Sequence, residues 1–315
     1  LESLSLSIIV PCYNEEAVIN ETYRRIKSVL DKENLASYAI IFINDGSKDN
    51  TLFILKEISQ KDTHVKVISF SRNFGHQPAV CAGIKYCTTD IAIIIDADLQ
   101  DPPELFPDMI KIYKEKKCNV VYAVREERKG ESFFKKITAK LYYKMINSLS
   151  ETTLPVDTGD FRLIDRRVMD EFNRLREKNK YIRGLISWIG FKQEPITYVR
   201  SSRAAGETKY PLSKMIKFAT TGLLYFTKKP LKLAITVGFI SIMVGLTFAS
   251  FIIIGKLTHE IHVVEGWTSI MILTIFFGGV QLMTIGVLGE YIGSIFDEVK
   301  DRPEFIIDQK INFEN

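Results

Sequence analysis

The sequence predicts a doubly wound α/β domain followed by two transmembrane α-helices. Three observations carry that prediction. Apolar strand-like runs alternate with amphipathic helical ones through the first 125 residues. Each strand-like run empties into polar residues, most clearly at 91–104, IAIIIDADLQDPPE. Two later runs, 233–255 and 266–289, contain no Asp, Glu, Lys or Arg.

The elements follow in order. A strand over 5–10 leads to a helix over 15–30, a strand over 38–43 to a helix over 50–59, and a strand over 65–70 to a helix over 77–86. A strand over 91–95 then leads to a helix over 104–115, and a fifth strand covers 119–124. In such sheets ligands bind outside the carboxyl ends of the strands. Chemistry is therefore expected at Pro11, Cys12, Tyr13, Asn14 and Glu15, at 44–47, at Ser71, Arg72 and Asn73, at Asp96 and Asp98, and at Arg125. No GxGxxG follows any strand and no GxxxxGK[ST] loop exists, so neither a dehydrogenase nor a P-loop enzyme is indicated.

Side chains alternate along an extended backbone, so Asp96 and Asp98 point the same way with only Ala97 between them. That arrangement suits one hard cation shared between protein oxygens and a diphosphate. The competing reading is an Asp-rich turn that caps the following helix. Asp45, in Asn-Asp-Gly-Ser at the end of the second strand, is read as an acceptor for a base or ribose, with turn formation as the alternative.

Beyond Arg125 the pattern changes. Phe134, Ile137, Leu141, Met145 and Leu149 recur at helical spacing while Lys136, Lys140 and Lys144 form another face, with Arg125, Arg128, Lys129 and Lys135 nearby. A helix of this kind suits an anionic membrane surface, or else a solvated face of the core. A second amphipathic stretch over 211–226 leads into the first charge-free run. Two polar clusters, 157–162 and 200–211, either are plain loops or supply a carboxylate and cations to the metal-nucleotide site.

The chain has 315 residues, 46% of them hydrophobic, with a mean hydropathy of +0.03, so it is greasier than an ordinary soluble domain. Each charge-free run exceeds the roughly 20 residues needed to cross a bilayer, and a buried soluble helix pair is the lesser reading. Lys228, Lys229 and Lys232 crowd the start of the first run, so the positive-inside rule places the N-terminal part and the C-terminal tail in the cytoplasm. The first apolar run, 4–10, is too short for a signal peptide and lacks a basic flank. Cys12, Cys81, Cys87 and Cys118 form no CxxC pair and no zinc spacing with histidine. A net charge of +4 without a nucleic-acid-binding motif argues against a nucleic-acid partner.

The segments SIIVPCYNE, NDGSKDNT, DADLQDPPE, DTGDFRL and RAAGETKYP, in that order and followed by two membrane spans, resemble the family 2 glycosyltransferases that charge polyisoprenyl phosphate with a sugar. The nearest group is the bactoprenol glucosyltransferases, with dolichol-phosphate mannose synthases as relatives. The resemblance covers essentially the whole chain. It implies an A-type glycosyltransferase fold that binds a nucleotide sugar, with a catalytic cytoplasmic domain over 1–208, an interfacial helical segment over 209–230, two spans within 231–296 and a cytoplasmic tail over 297–315. It also implies Mg2+ or Mn2+ as cofactor, a UDP-hexose donor, a polyprenyl (undecaprenyl) phosphate acceptor, an inner-membrane location and a homo-oligomer, in particular a tetramer.

By position, the resemblance assigns Pro11, Tyr13, Glu15 and Asp45 to the nucleoside, and Asp96, Asp98 and Gln100 to the metal. Arg203 goes to the donor diphosphate, and Arg125, Arg128 and Lys136 or Lys140 to the acceptor phosphate. Asp157 matches the aspartate beside the sugar, with Asp160 nearby; Asp157, Asp98 and Arg203 form the expected catalytic set. A GDP-mannose-dependent synthase is the alternative. A processive polysaccharide synthase would want more spans and a QxxRW motif, and a non-catalytic nucleotide-sugar-binding scaffold is the remaining reading.

The tail segment 302–308 is a short apolar run flanked by charges, expected to dock on its own domain, to add a strand to a neighbour, or to remain disordered.

Overall fold

The computed structural model describes residues 4–125, 158–178, 180–199, 229–258 and 266–313. Among these, the residues up to Val199 and from Arg302 onward form one compact unit, and those from Lys229 to Asp301 form a second.

The first unit is built on an eight-stranded sheet. Its strands are β1 (Ser5–Cys12), β2 (Ser37–Asn44), β3 (Val65–Phe70), β4 (Ile91–Ile94), β5 (Val120–Arg125), β6 (Thr158–Asp165), β7 (Gln193–Tyr198) and β8 (Ile307–Ile311). Spatially they run β7-β5-β6-β4-β1-β2-β3-β8. The central strands β1, β2 and β4 pair in parallel and are buried on both faces, which is why they read as continuous Ile/Val/Phe runs rather than alternating ones. Helices α1 (Ile19–Leu30), α2 (Thr51–Lys61), α3 (His76–Tyr86) and α4 (Phe106–Lys116) follow the first four strands, as the periodicity predicts. Two shorter helices, α5 (Arg166–Arg174) and α6 (Ile182–Ile189), precede β7.

Two boundaries differ from the pattern, each for a local reason. The helix expected from residue 15 begins at Ile19, because Asn14 takes φ 54° and residues 15–18 form a turn closed by Val18 N–H donating to the Glu15 carbonyl at 3.0 Å. The helix expected from residue 104 is preceded by a 3-10 turn, Pro103–Leu105, after Pro102 holds an extended backbone.

The doubly wound expectation needs one correction, since the sheet is mixed. β6 is inserted between β4 and β5 and runs antiparallel to both. An antiparallel strand brings its own start beside its neighbours' ends, so Gly159 and Asp160 arrive where Asp96 leaves β4. The second antiparallel strand, β8, comes from the C-terminal tail and pairs with β3. Of the three outcomes open for the tail, the structure has it docked on its own domain.

One buried carboxylate ties α1 to the α2–β3 turn. Asp62 accepts hydrogen bonds from Tyr23 Oη at 2.8 Å, His64 N–H at 3.0 Å and His64 Nδ1 at 2.9 Å, and it also pairs with Lys27. Burial raises its carboxyl, but Lys27, Tyr23 and His64 together hold it well below the usual carboxylate range. A carboxyl that titrates lower in the fold contributes stability that is complete above its unfolded value of about 3.9 and is lost as pH falls through its folded value. Asp62→Asn should therefore cost about 1–3 kcal/mol at neutral pH and flatten the acid side of the stability profile, read from urea midpoints between pH 6 and 2.5.

The second unit consists of two helices, α7 (Lys229–Leu257) and α8 (Trp267–Val299). Both charge-free runs are thus helical. Within α8, Phe276–Val299 is long and apolar enough to cross a membrane, with none of that stretch buried, whereas α7 offers the shorter apolar stretch Ala234–Thr247. Two spans were expected, and among the described residues one helix meets the length and composition of a span. Phe239, Met243, Leu282, Met283 and Ile292 are each about half or more exposed, apolar side chains that water does not favour. Hydroxyls that such a surface would strand are satisfied internally: Thr247, Thr274 and Thr284 donate to the carbonyls of Met243, Ile270 and Val280.

Candidate active site

The loops at the carboxyl ends of β1 and β2 are zipped together. Asn14 N–H donates to Ser47 Oγ at 3.0 Å, Lys48 N–H to Asn14 Oδ1 at 2.8 Å, and Glu15 N–H to Thr51 Oγ1 at 2.9 Å. Gly46 closes the turn at φ +63°. A Cβ there would lie 2.6 Å from Asn73 N and as tight against the Arg72 backbone, so only glycine lets this turn approach the loop after β3.

Asp45 sits at the centre of this arrangement and is 3% exposed. Its Oδ1 accepts from Phe74 N–H at 2.7 Å, and its Oδ2 from Gly75 N–H at 2.9 Å and Asn73 Nδ2 at 2.8 Å. Burial nevertheless pushes its carboxyl up, against those two backbone donors. Asp45 thus organises the loop after β3, and any hydrogen bond to a ligand is additional to that work.

The same loop delivers His76, the first residue of α3. His76 Nε2 lies 3.1 Å from Asp160 Oδ2 and 3.7 Å from Asp96 Oδ1. Burial disfavours its charge, but Asp96 and Asp160 outweigh burial and bring it up to about 9, so it is an imidazolium at neutral pH. Asp160, 6% exposed, also takes Arg183 Nε at 2.7 Å and Arg183 Nη2 at 3.2 Å. Burial opposes its ionised form, and Arg183 and His76 hold it well below the usual carboxylate range regardless. Asp96 is 31% exposed at its side chain. Burial raises it first, His76 pulls it back, and the carboxylates of Asp160, Asp101 and Asp98 push it up again. Burial and the neighbouring carboxylates thus disfavour the charged form of Asp96 at the end of β4.

A second group forms around the end of β5. Arg125 and Tyr198 are register partners on parallel β5 and β7, and Arg125 Nε donates to Tyr198 Oη at 3.2 Å. Tyr198 Oη in turn donates to Asp101 Oδ1, from the loop after β4. A Cβ on Gly159 would fall 2.6 Å from the Arg125 guanidinium, so glycine there leaves room for that side chain. Asp101 and Tyr198 are 1% and 5% exposed, so this relay fixes Arg125 relative to the acidic loop from inside the core.

The model of "Glycosyl transferase family 2" matches residues 7–172, more than half of the chain. The protein is a family 2 glycosyltransferase. The chain is also 50% identical over 314 residues to the uncharacterized glycosyltransferase YkcC of Bacillus subtilis (strain 168), covering 99% of this chain and 96% of that one. It is 37% identical to a prophage bactoprenol glucosyl transferase homolog of Escherichia coli (strain K12), over 96% of this chain and 98% of the relative. The Mycobacterium tuberculosis glucosyl-3-phosphoglycerate synthase structure aligns over 70% of this chain and 78% of that chain, at 17% identity and a TM-score of 0.47.

In this glycosyltransferase the expected site residues fall into three groups. Pro11, Tyr13, Glu15 and Asp45 lie on the joined β1 and β2 loops, and Asp96, Asp98 and Gln100 on the loop after β4, where Gln100 N–H donates to Asp98 Oδ1 at 3.2 Å. Arg125 stands apart from these two groups in its own relay with Tyr198. Arg128, Lys136, Lys140, Asp157 and Arg203 lie outside the described residues.

His76, Arg183, Asp101 and Tyr198 were not anticipated. His76 carries no spacing motif in FGHQPA, and Arg183 lies 23 residues from its partner Asp160, so no local pattern announces either. Asp101 did have a signal, being the third carboxylate of DADLQD. Among the described residues, no three or more His, Cys, Asp or Glu side chains gather closely enough to hold a metal ion by themselves.

Proposed function

We propose that this glycosyltransferase transfers a hexose, glucose from UDP-glucose, to polyprenyl phosphate at the cytoplasmic face of a membrane, with inversion at the anomeric carbon. The observation that carries the reading is the relative named a bactoprenol glucosyl transferase homolog, matched over 96% of this chain, including the apolar helix of the second unit. A polyprenyl chain leaves the bilayer only at about 0.8 kcal/mol per CH₂, so an enzyme acting on it benefits from a membrane-resident helix. Lys228, Lys229 and Lys232 before the first apolar run support a cytoplasmic position for the catalytic domain and the tail, with α7 as the second span.

The residues at the end of β4 fit a divalent cation. Asp96, whose carboxyl burial and three neighbouring carboxylates push up, is a group whose ionised form a dication would stabilise. A hard ion that takes one or two carboxylates from the protein and its other oxygens from a diphosphate and water needs no larger protein cage. Asp96, Asp98 and Gln100 would hold it, and when bound it supplies charge stabilisation to the departing nucleoside diphosphate.

The chain's own residues do the remaining work. Pro11, Tyr13, Glu15 and Asp45 hold the nucleoside, and Arg203 meets the diphosphate as the glycosidic bond stretches. Arg125, with Arg128 and Lys136 or Lys140, receives the acceptor phosphate, whose second pKa is about 6, so a strong general base is dispensable. Asp157 then positions the sugar or the acceptor.

The test is transfer of label from UDP- and GDP-hexoses to polyprenyl phosphate in detergent, with and without Mg2+ or Mn2+. Metal-dependent labelled lipid from UDP-glucose is the expected result. Labelling from GDP-mannose would keep the chemistry and change the donor, and no lipid product from any donor would sink the lipid-acceptor reading.

A further inference from the structure

Strand β8 pairs with β3 in a register that runs from Val67 with Ile311 to Phe70 with Ile307, and it slips between Ser69 and Phe70. At that slip the ladder gives way to a different kind of contact. Ser71 N–H donates to the Ile306 carbonyl at 3.0 Å. The Phe305 ring stacks on Phe70 at 5.0 Å and 9°, and Phe70 meets Phe74 edge-on at 5.7 Å and 88°. Phe74 N–H, Gly75 N–H and Asn73 Nδ2 are the three donors that clamp Asp45. One residue earlier in the tail, Glu304 pairs with Lys180 at 3.0 Å, both largely buried. Lys180 opens the segment whose Ile182 N–H donates to Gln77 Oε1 and whose Arg183 holds Asp160. Three consecutive tail residues thus touch both segments that frame the site, the loop clamping Asp45 and the segment anchoring Asp160.

We propose that the C-terminal tail positions the donor side of the site, with Phe305 as the positioning residue, acting through Phe70 and Phe74 on the Asp45 clamp. A tail that only covered the sheet edge would need the β8 ladder and nothing beyond it. Residues 304–306 lie past the ladder and are spent on the loop instead. The far end of the tail provides an internal control. Asn312 Nδ2 donates to the carbonyls of Ser59 and Val65, both at 2.8 Å, where β3 begins and away from the clamp. Weakening either end loosens the tail, but only the Phe305 end reaches Asp45.

The inference rests on the nucleotide-sugar reading for its ligand but not for its structural readout. In the full-length protein in detergent, hydrogen exchange over 71–76 and binding of UDP and of GDP by calorimetry would be compared among wild type, Phe305→Ala and Asn312→Ala. Phe305→Ala should speed exchange at Phe74 and Gly75 about tenfold and weaken nucleotide binding by a similar factor, while Asn312→Ala changes neither. Should Phe305→Ala not fold, Phe305→Leu keeps the apolar volume while removing the stacked ring, with the same direction expected. Wild-type exchange in the Phe305 variant, or equal acceleration in both variants, overturns the proposal. If wild type binds neither UDP nor GDP, the donor reading fails, and the exchange data still decide the role of the tail.

Discussion

Asp98→Ala should lower sugar transfer by about a hundredfold or more while leaving the fold intact. Asp98 is half-buried on the loop after β4, where Leu99 takes φ 59°. Its Oδ1 accepts from Gln100 N–H at 3.2 Å within that loop. A single substitution typically costs about 1 kcal/mol of stability, too little to unfold the domain. A ligand that holds the dication acts through it, and losing one stabilising group opposite developing negative charge costs about 10²–10³ in rate. The two effects separate, so urea midpoints should shift only slightly while turnover collapses. Asp96→Ala is the poorer probe, because His76 lies 3.7 Å from Asp96 and its half-buried ring would lose one of the two carboxylates it faces. Full activity in Asp98→Ala, at saturating Mg2+ or Mn2+, would remove the loop after β4 from the metal site and with it the assignment of Gln100.

What the sequence made legible follows from where each signal is stored. The parallel strands were readable because burial on both faces writes itself as runs such as SIIV and IAIII, and the site loops because polar residues then follow abruptly. The place of β6 was not readable. TGDFRLID alternates as a strand should, with Phe161 and Leu163 buried, but Asp160 and Arg162 are buried too, and locally they read as a polar cluster. The burial of Asp160 is tolerable only through distant residues. Asp160 is answered by Arg183 and His76, and Arg162 by the Gly159 carbonyl at 2.9 Å, with burial bringing the guanidinium down to about 10. Asp45 shows the same limit in reverse. Its place at a strand end was legible, but a carboxylate that binds a ligand and one that clamps a loop look alike until Phe74 and Gly75 are seen donating to it.

The Asp160 network also yields the largest expected loss of stability. Arg183→Ala removes from Asp160, 6% exposed and deeply ionised, the cation that bonds both of its oxygens, while His76 stays beside it. Breaking a buried pair from one side costs about 3–5 kcal/mol, because the surviving charge keeps its desolvation penalty. Arg183 is 27% exposed at its side chain, which lets water answer part of the deficit and favours the lower end, about 3 kcal/mol. For a domain of this size that corresponds to roughly 6–12 °C in melting temperature. Replacing both partners, as Asp160→Asn with Arg183→Met, removes the stranded charge. In a cycle with Arg183→Met and Asp160→Asn as the single variants, the double variant should recover at least about 1 kcal/mol over Arg183→Met, a coupling that a shared interaction produces. His76 then discriminates between roles. If the network serves only to hold β6 and α6 in place, the double variant regains activity along with stability. If His76 must be held charged beside Asp96, the double variant recovers its melting temperature but not its rate. We expect the second result, because His76 Nε2 lies 3.7 Å from Asp96 and 3.1 Å from Asp160, so removing the Asp160 carboxylate alters the group that faces Asp96. Identical relative losses of rate and stability in every variant would mean that the cluster is structural and has no bearing on transfer.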